Sequence, residues 1–310
     1  MDGIINIYKE KGYTSFDVVA KLRGILHQKK IGHTGTLDPD AEGVLPVCLG
    51  KATKLCELLT EKNKSYESVI KLGVRTDTMD MTGKVLGTCG YTGDEEKVYS
   101  VISSFVGEME QIPPMYSAIK VDGKKLYELA RKGITIEREP RKITIHNIEV
   151  KEVDLNNGLV RIKTCVSKGT YIRSLCEDIG KKLGCDACMS ELLRVKSGPF
   201  DIKDSLKLAD IEKLVSEDKL MSAVTGIDEV FNLPAVIMKK ETDRYVQNGN
   251  EISSDMFLEY SDKNNDKAFV KTGEDDICVY LSEGRFAAVY RKKTGDKTAD
   301  KAVYKAFKMF

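Results

Sequence analysis

An acid held on a turn is the first chemistry the chain offers. Asp38 lies in residues 32–46, GHTGTLDPDAEGVLP, with Gly32 and Gly35 before it and Pro39 directly after. Turn formers at this density cannot continue a helix, so the carboxylate is displayed on a loop where it can be aimed at a ligand. An aspartate before proline is equally a turn-forming residue in its own right, and residue types alone leave both readings open. Three other spacings carry less. Gly50-Lys51 follows Gly43, but a phosphate-binding loop needs glycine where Leu45 stands and a hydroxyl where Ala52 stands. Ser117 and Lys120 have the S-x-x-K spacing of penicillin-recognising enzymes without the companion motifs. Cys185 and Cys188 form a C-x-x-C pair with no second ligand pair, so the expectation is helical packing and no metal.

Further groups suited to serve an acid follow in order. Lys64-Ser65-Tyr66 leads into residues 72–80, LGVRTDTMD; residues 113–131 read PPMYSAIKVDGKKLYELAR; residues 167–175 read SKGTYIRSL and contain Tyr171 and Arg173. From 120 to 142 eight basic residues (Lys120, Lys124, Lys125, Arg131, Lys132, Arg138, Arg141, Lys142) face four acidic ones (Asp122, Glu128, Glu137, Glu139). The whole chain carries only +1. Such a strip is either a phosphate-binding surface or a solvated face.

Taken together, the segment at 32–46 and the three stretches after it resemble the TruB family of bacterial tRNA pseudouridine-55 synthases. The four matches keep the family's order and span most of the first two hundred residues, which makes chance convergence negligible. The resemblance implies an isomerase that breaks the N1–C1′ bond of a uridine in the T-loop of tRNA, turns the base and rejoins it through C5. Nothing is oxidised or transferred, so no cofactor is expected. It also implies roles. Asp38 is the catalytic carboxylate, as nucleophile or as base toward the ribose. Arg173 pairs with it, Tyr66 stacks on the target base, and Leu193 packs on the base's other side. His33, between two small-residue turns and therefore exposed, stacks where extruded nucleotides were. Tyr171 supports the site. Lys64, Lys120, Lys124, Lys125, Arg131, Lys132, Arg141 and Lys142 contact RNA, most of them from a clasping insertion at about 113–142. Three rivals remain: a silent tRNA-binding or tRNA-folding protein, a nucleoside hydrolase or glycosylase, and a guide-RNA-dependent paralogue.

These groups need elements to position them. Residues 14–26 predict an amphipathic helix, with Thr14 and Asp17 spaced as a capping box. Residues 43–49 predict a short buried element. Residues 65–72 predict a strand with Tyr66, Ser68, Ile70 and Leu72 on one face. Residues 74–83 read as a loop, and 126–131 as a short helix. Residues 143–153 and 159–166 pair around Asn156-Asn157-Gly158, and 172–183 form a helix. Residues 192–195 read as a short apolar run.

At Leu233-Pro234 the chain divides, giving a catalytic domain over 1–233 and a small β-rich domain over 234–310. In the latter, 277–280 and 285–290 form a hairpin and 301–310 alternate weakly. The fold class is α+β, and the resemblance implies a mixed-sheet pseudouridine synthase core with a PUA-like C-terminal domain. With 310 residues, 41% of them hydrophobic and 31% charged, the chain can bury a sizeable core. No stretch nears the roughly 18 apolar residues of a membrane span, and the N-terminus carries no export pattern. The expectation is a cytoplasmic monomer whose partner is the tRNA T-arm, with no obligatory protein partner.

Overall fold

A computed structural model describes residues 1–231, 233–258, 275–293 and 302–310. The chain forms two compact units: Ile5–Cys48 with Leu55–Ala223, and Met1–Ile4 with Leu49–Lys54 and Val224–Phe310. The division thus falls at Val224 instead of after Leu233, and two N-terminal segments join the C-terminal unit.

Up to Ser216 the chain runs β1 (Gly3–Lys9), α1 (Ser15–Ile25), β2 (Ile31–His33), β3 (Glu42–Leu49), α2 (Cys56–Thr60) and β4 (Lys64–Leu72). There follow β5 (Arg75–Thr76), β6 (Val85–Gly87), α3 (Glu95–Ser103), β7 (Gly107–Gln111), β8 (Lys120–Val121), β9 (Lys124–Lys125) and α4 (Leu126–Ala130). β10 (Arg141–Asp154), β11 (Leu159–Val166), α5 (Ile172–Leu183), β12 (Ala187–Ser197) and α6 (Leu208–Ser216) complete it. The sheet order is β1-β3-β12-β4-β11-β10-β7, with β2 paired to β3. β12 runs parallel to β3 but antiparallel to β4, so the sheet is mixed, as an α+β fold requires.

Local sequence accounts for the elements that carry the site. Thr14 accepts a hydrogen bond from the Asp17 amide, and the Asp17 carboxylate accepts one from the Thr14 amide, closing the capping box of α1. Val18, Val19 and Leu22 face inward from it. β10 and β11 pair through the expected turn. Helix α5 buries Ile172, Leu175, Cys176, Ile179 and Leu183 in one cluster with Ile70, Val160 and Ile162 of the sheet. It ends at Gly184, whose φ of 82° lies where glycine alone is unstrained.

Two expectations change. The apolar run at 192–195 is the centre of an eleven-residue strand, β12, whose Glu191 and Lys196 hid its length by pointing outward. Cys185 and Cys188 are buried, but Cys185 follows the end of α5 and Cys188 lies in β12, so their packing is not helical.

The smaller unit is built on a five-stranded sheet. Ala235–Ile237, Asp276–Tyr280, Phe286–Lys292, Val303–Met309 and Ile252–Ser253 follow one another across it. The hairpin of Asp276–Tyr280 with Phe286–Lys292 is antiparallel, as its alternation implied. Lys301, at the start of the weakly alternating tail, lies outside the described residues. Its core contains Val246, Ile277, Val279, Ala288, Tyr290 and Tyr304. No helix among the described residues is long and apolar enough to cross a membrane.

Candidate active site

The loop between β2 and β3 carries Asp38, and its backbone is pinned on both sides of that residue. The Thr34 amide donates to the Pro46 carbonyl at 3.1 Å. The Ser15 hydroxyl of α1 accepts from the Leu37 amide at 2.9 Å and donates to the Leu37 carbonyl at 3.3 Å. Beyond Asp38, the Lys9 ammonium of β1 donates to the carbonyls of Pro39 (3.0 Å) and Ala41 (2.5 Å), and the Gly12 amide donates to Pro39. Buried loop carbonyls must be satisfied somewhere. Here α1 and β1 satisfy them, and the carboxylate gains a fixed origin.

Arg173 meets that carboxylate from the first turn of α5. Its Nε lies 3.0 Å from Asp38 Oδ2, and its Nη2 donates to Oδ1 at 3.3 Å, a two-pronged pairing. The same guanidinium donates to the carbonyls of Thr78 (3.0 Å) and Tyr116 (2.9 Å), and Asp80 stands 3.8 Å away. One planar guanidinium is thereby anchored from three chain segments. The Arg173 side chain is 6% exposed and that of Asp38 39%, so the acid opens to solvent while its partner does not. Burial pushes the Asp38 pKa above the ordinary carboxylate value; Arg173 pulls it down, Asp80 pushes it up, and Lys9 pulls it down. Such a carboxylate can attack carbon or accept a proton.

The remaining expected residues sort themselves by burial and register. Tyr66 is buried on β4 in the same cluster as Leu37. Leu193 is not on its face. In the β12–β4 register Leu193 opposes Glu67, while Leu192 opposes Ser68 and Arg194 opposes Tyr66. Alternation along a strand therefore puts Leu192 on the Tyr66 side and Leu193 on the other. Leu192 packs against the Tyr66 cluster. The apolar residue next to Tyr66 is Leu192, one position from the expected one.

His33 ends β2 half-buried and not well exposed, because β2 pairs with β3. Burial, and then the charge of Arg194, lower its pKa. Tyr171 precedes α5, its amide donating to Gln111 Oε1 at 2.8 Å while Gln111 Nε2 returns a bond to its carbonyl at 3.0 Å. Tyr171 thus fixes the start of the helix bearing Arg173. Burial raises its phenol pKa.

Lys64 is no surface cation. Its ammonium is buried against the carbonyls of Thr60 and Lys62, and burial followed by the Arg194 charge lowers its pKa to about 8. By contrast Lys120, Lys124, Arg131, Lys132, Arg141 and Lys142 are exposed, with Lys125 half-buried on the Tyr127 ring. None of the seven pairs with a carboxylate among the described residues. Lys9, Asp80, Leu192 and Arg194 were not singled out in the sequence, although Asp80 stands in the 72–80 motif.

The comparisons agree with this geometry. Residues 23–172 match the TruB family pseudouridylate synthase N-terminal domain, and residues 173–232 match the tRNA pseudouridylate synthase B C-terminal domain. Relatives named tRNA pseudouridine synthase B include one from Lachnoclostridium phytofermentans, 50% identical over 100% of both chains. Another, from Clostridium kluyveri, is 47% identical over 94% of this chain and 96% of its own. Among solved structures, the chain is similar to one in an H/ACA RNP bound to a substrate RNA containing 2′-deoxyuridine. That likeness has a TM-score of 0.71 and 27% identity, covering 99% of this chain and 84% of that one. A chain of the archaeal box H/ACA sRNP Nop10–Cbf5 complex is similar with a TM-score of 0.69, 26% identity and coverages of 99% and 85%. Matched over residues 23–232 and half identical to a relative along its full length, the chain belongs to the TruB family of pseudouridylate synthases.

Proposed function

We propose that the protein isomerises uridine 55 in the T-loop of tRNA to pseudouridine, with Asp38 as the reacting carboxylate. The observation that carries this reading is the two-pronged Arg173–Asp38 pair on a loop pinned by Ser15 and Lys9. Arg173 opposes the burial that would protonate the acid, and holds both of its oxygens in one plane. Tyr66 and Leu192 supply apolar surface for a base turned out of its stack. His33, kept neutral by burial, suits stacking on bases left behind.

A glycosidic bond that breaks and re-forms within one nucleotide needs no external acceptor, so the residues named suffice without a cofactor. The exposed lysines and arginines of the insertion give the RNA backbone its counter-charge. They support an enzyme that binds tRNA through its own surface; we take it to act as a monomer in the cytoplasm, with no guide RNA.

One unmodified tRNA transcript tests the reading. Purified protein in chelator, without nucleotides, should form pseudouridine at a single T-loop position, and Asp38→Asn should form none while still binding the RNA. Free uracil as product would favour a glycosylase, and binding without any product would favour a tRNA-folding protein. Full activity in Asp38→Asn would sink the assignment.

A further inference from the structure

Arg194 of β12 heads the fully enclosed large side chains among the described residues, at 1% exposure. Its Nε donates to the Val44 carbonyl at 2.6 Å and its Nη2 to the Gly35 carbonyl at 3.1 Å. Among the described residues no carboxylate lies within 4 Å of it. A buried guanidinium without a counter-ion disfavours the folded state, and a well-packed apolar side chain would serve stability better. Stability alone therefore gives no reason for an arginine here.

Its bonds supply one. Gly35 lies on the arm of the loop that leads to Asp38, and Val44 lies on the arm that leaves it, at the start of β3. The planar fork of one side chain spans both. The backbone leaves no slack on the Gly43 side of this grip and ordinary contact on the Gly35 side. Gly43 is paired with Arg194 at a φ of 105°, and a Cβ there would fall 2.2 Å from the Arg194 carbonyl oxygen. On the Gly35 side, a Cβ would meet Arg194 Nη1 at 3.7 Å and Lys64 Cε at 3.9 Å. Lys9 and Ser15 hold the loop at its crest, and Thr34 ties its base to Pro46; Arg194 is the side chain that bonds to both Gly35 and Val44.

We propose that Arg194 is a positioning residue for the isomerisation: by tying the Gly35 and Val44 carbonyls it sets where the loop presents the Asp38 carboxylate to the uridine. The inference rests on Asp38 being the reacting group. Arg194 touches no reacting atom and acts only through the backbone, so its removal should leave RNA affinity intact and reduce the chemical step. Its charge has a second consequence, since it depresses the pKa of neighbouring His33.

The test is single-turnover and steady-state kinetics on a T-arm RNA with Arg194→Ala, Arg194→Lys and Asp38→Asn, with methylguanidinium added below denaturing concentrations. A shift of about 1 Å in a reacting group costs on the order of 100-fold. Arg194→Ala should therefore lose about 100-fold in kcat, with KM changed less than about threefold, and recover in part with methylguanidinium. Arg194→Lys keeps the charge but loses the fork, and should fall between Ala and wild type. Unchanged kcat in either folded variant overturns the proposal. So does a kcat loss that follows a lowered melting temperature and ignores methylguanidinium, because the role is then only structural. Product from Asp38→Asn would instead sink the reading of Asp38, whereas inactive Asp38→Asn beside fully active Arg194→Ala sinks the role of Arg194 alone.

Discussion

The cations around the Asp38 loop and those of the insertion at 113–142 share a sign and little else. Lys9, Lys64, Arg173 and Arg194 are buried, and between them they donate to the carbonyls of Glu10, Pro39, Ala41, Thr60, Lys62, Thr78, Tyr116, Gly35 and Val44. Only Arg173 also reaches a carboxylate, that of Asp38 with Asp80 behind it. In the insertion Lys120, Lys124 and Lys132 keep their charged ends exposed and hold nothing fixed among the described residues, while Arg131 lies over the Tyr127 ring and Arg138 donates to the Pro113 carbonyl. Buried positive charge here organises backbone; exposed positive charge is left free to meet phosphate. The two sets should therefore fail in different ways when removed.

Arg173 should show the largest effect, because it belongs to both the scaffold and the chemistry. Arg173→Met should reduce kcat by about 10²- to 10³-fold, the usual consequence of deleting one preorganised donor. It also leaves the Thr78 and Tyr116 carbonyls without their donor, at about 1–3 kcal/mol each, so the melting temperature should fall. The pH profile identifies the cause. Burial already raises the Asp38 pKa and Arg173 opposes that rise. Without the guanidinium the acid holds its proton to higher pH, so the acidic limb of the rate profile should move upward. An unmoved limb would mean that Arg173 does not set the ionisation of Asp38.

Lys64 separates the buried set from the exposed one by stability. Burial lowers its pKa from 10.5 to about 8, as it does for Lys9. Between those values the unfolded chain binds the proton and the folded chain does not. Stability should therefore rise with pH from about 8 to 10.5, by at most about 1.4 kcal/mol per pH unit for each lysine. Buried thiols oppose this: Cys188, raised to about 11, keeps its proton in the folded state and lowers stability as pH climbs. The difference between wild type and Lys64→Met in melts from pH 7.5 to 10 removes that common background. It should shrink the alkaline rise, whereas Lys124→Met should leave it untouched. Equal slopes in wild type and Lys64→Met would place the Lys64 ammonium in water after all.

The same contrast explains what could be read from residues in order and what could not. The capping box of α1, the β10–β11 hairpin and the inward face of α5 rest on contacts within one element or between neighbours, and short-range spacing encodes them. Asp38, Tyr66 and Arg173 were found through motifs, and the pairing of Arg173 with Asp38 came with the resemblance, while the Thr78 and Tyr116 carbonyls that also hold Arg173 were left for the fold to display. Lys9, Lys64 and Arg194 resemble surface charges in any local window. Only the fold reveals that carbonyls from other segments surround them, in the case of Arg194 from residues 150 and 159 positions away. Leu193 was misplaced for a related reason: one step along a strand reverses the face, and the face is set by pairing with β4. β12 itself was undersized because polar residues on its open side broke the apolar run.

The exposed set should give the smallest effect and the most specific one. Lys124→Ala combined with Lys132→Ala removes two cations that hold no carbonyl or carboxylate in the free protein, so the melting temperature should stay within error. If both neutralise phosphates, the slope of log Kd against log salt should become shallower by about 0.7–0.9 per contact, about 1.4–1.8 in all. T-arm affinity should fall several-fold at low salt and converge with wild type as salt rises. At saturating RNA, kcat should be unchanged, because neither residue touches the Asp38 loop. Anisotropy titrations over a range of salt concentrations measure the slope directly. An unaltered slope would show these lysines to be solvated surface, and would move the RNA-binding charge elsewhere; a fall in kcat would show that the insertion shares the work of the buried set.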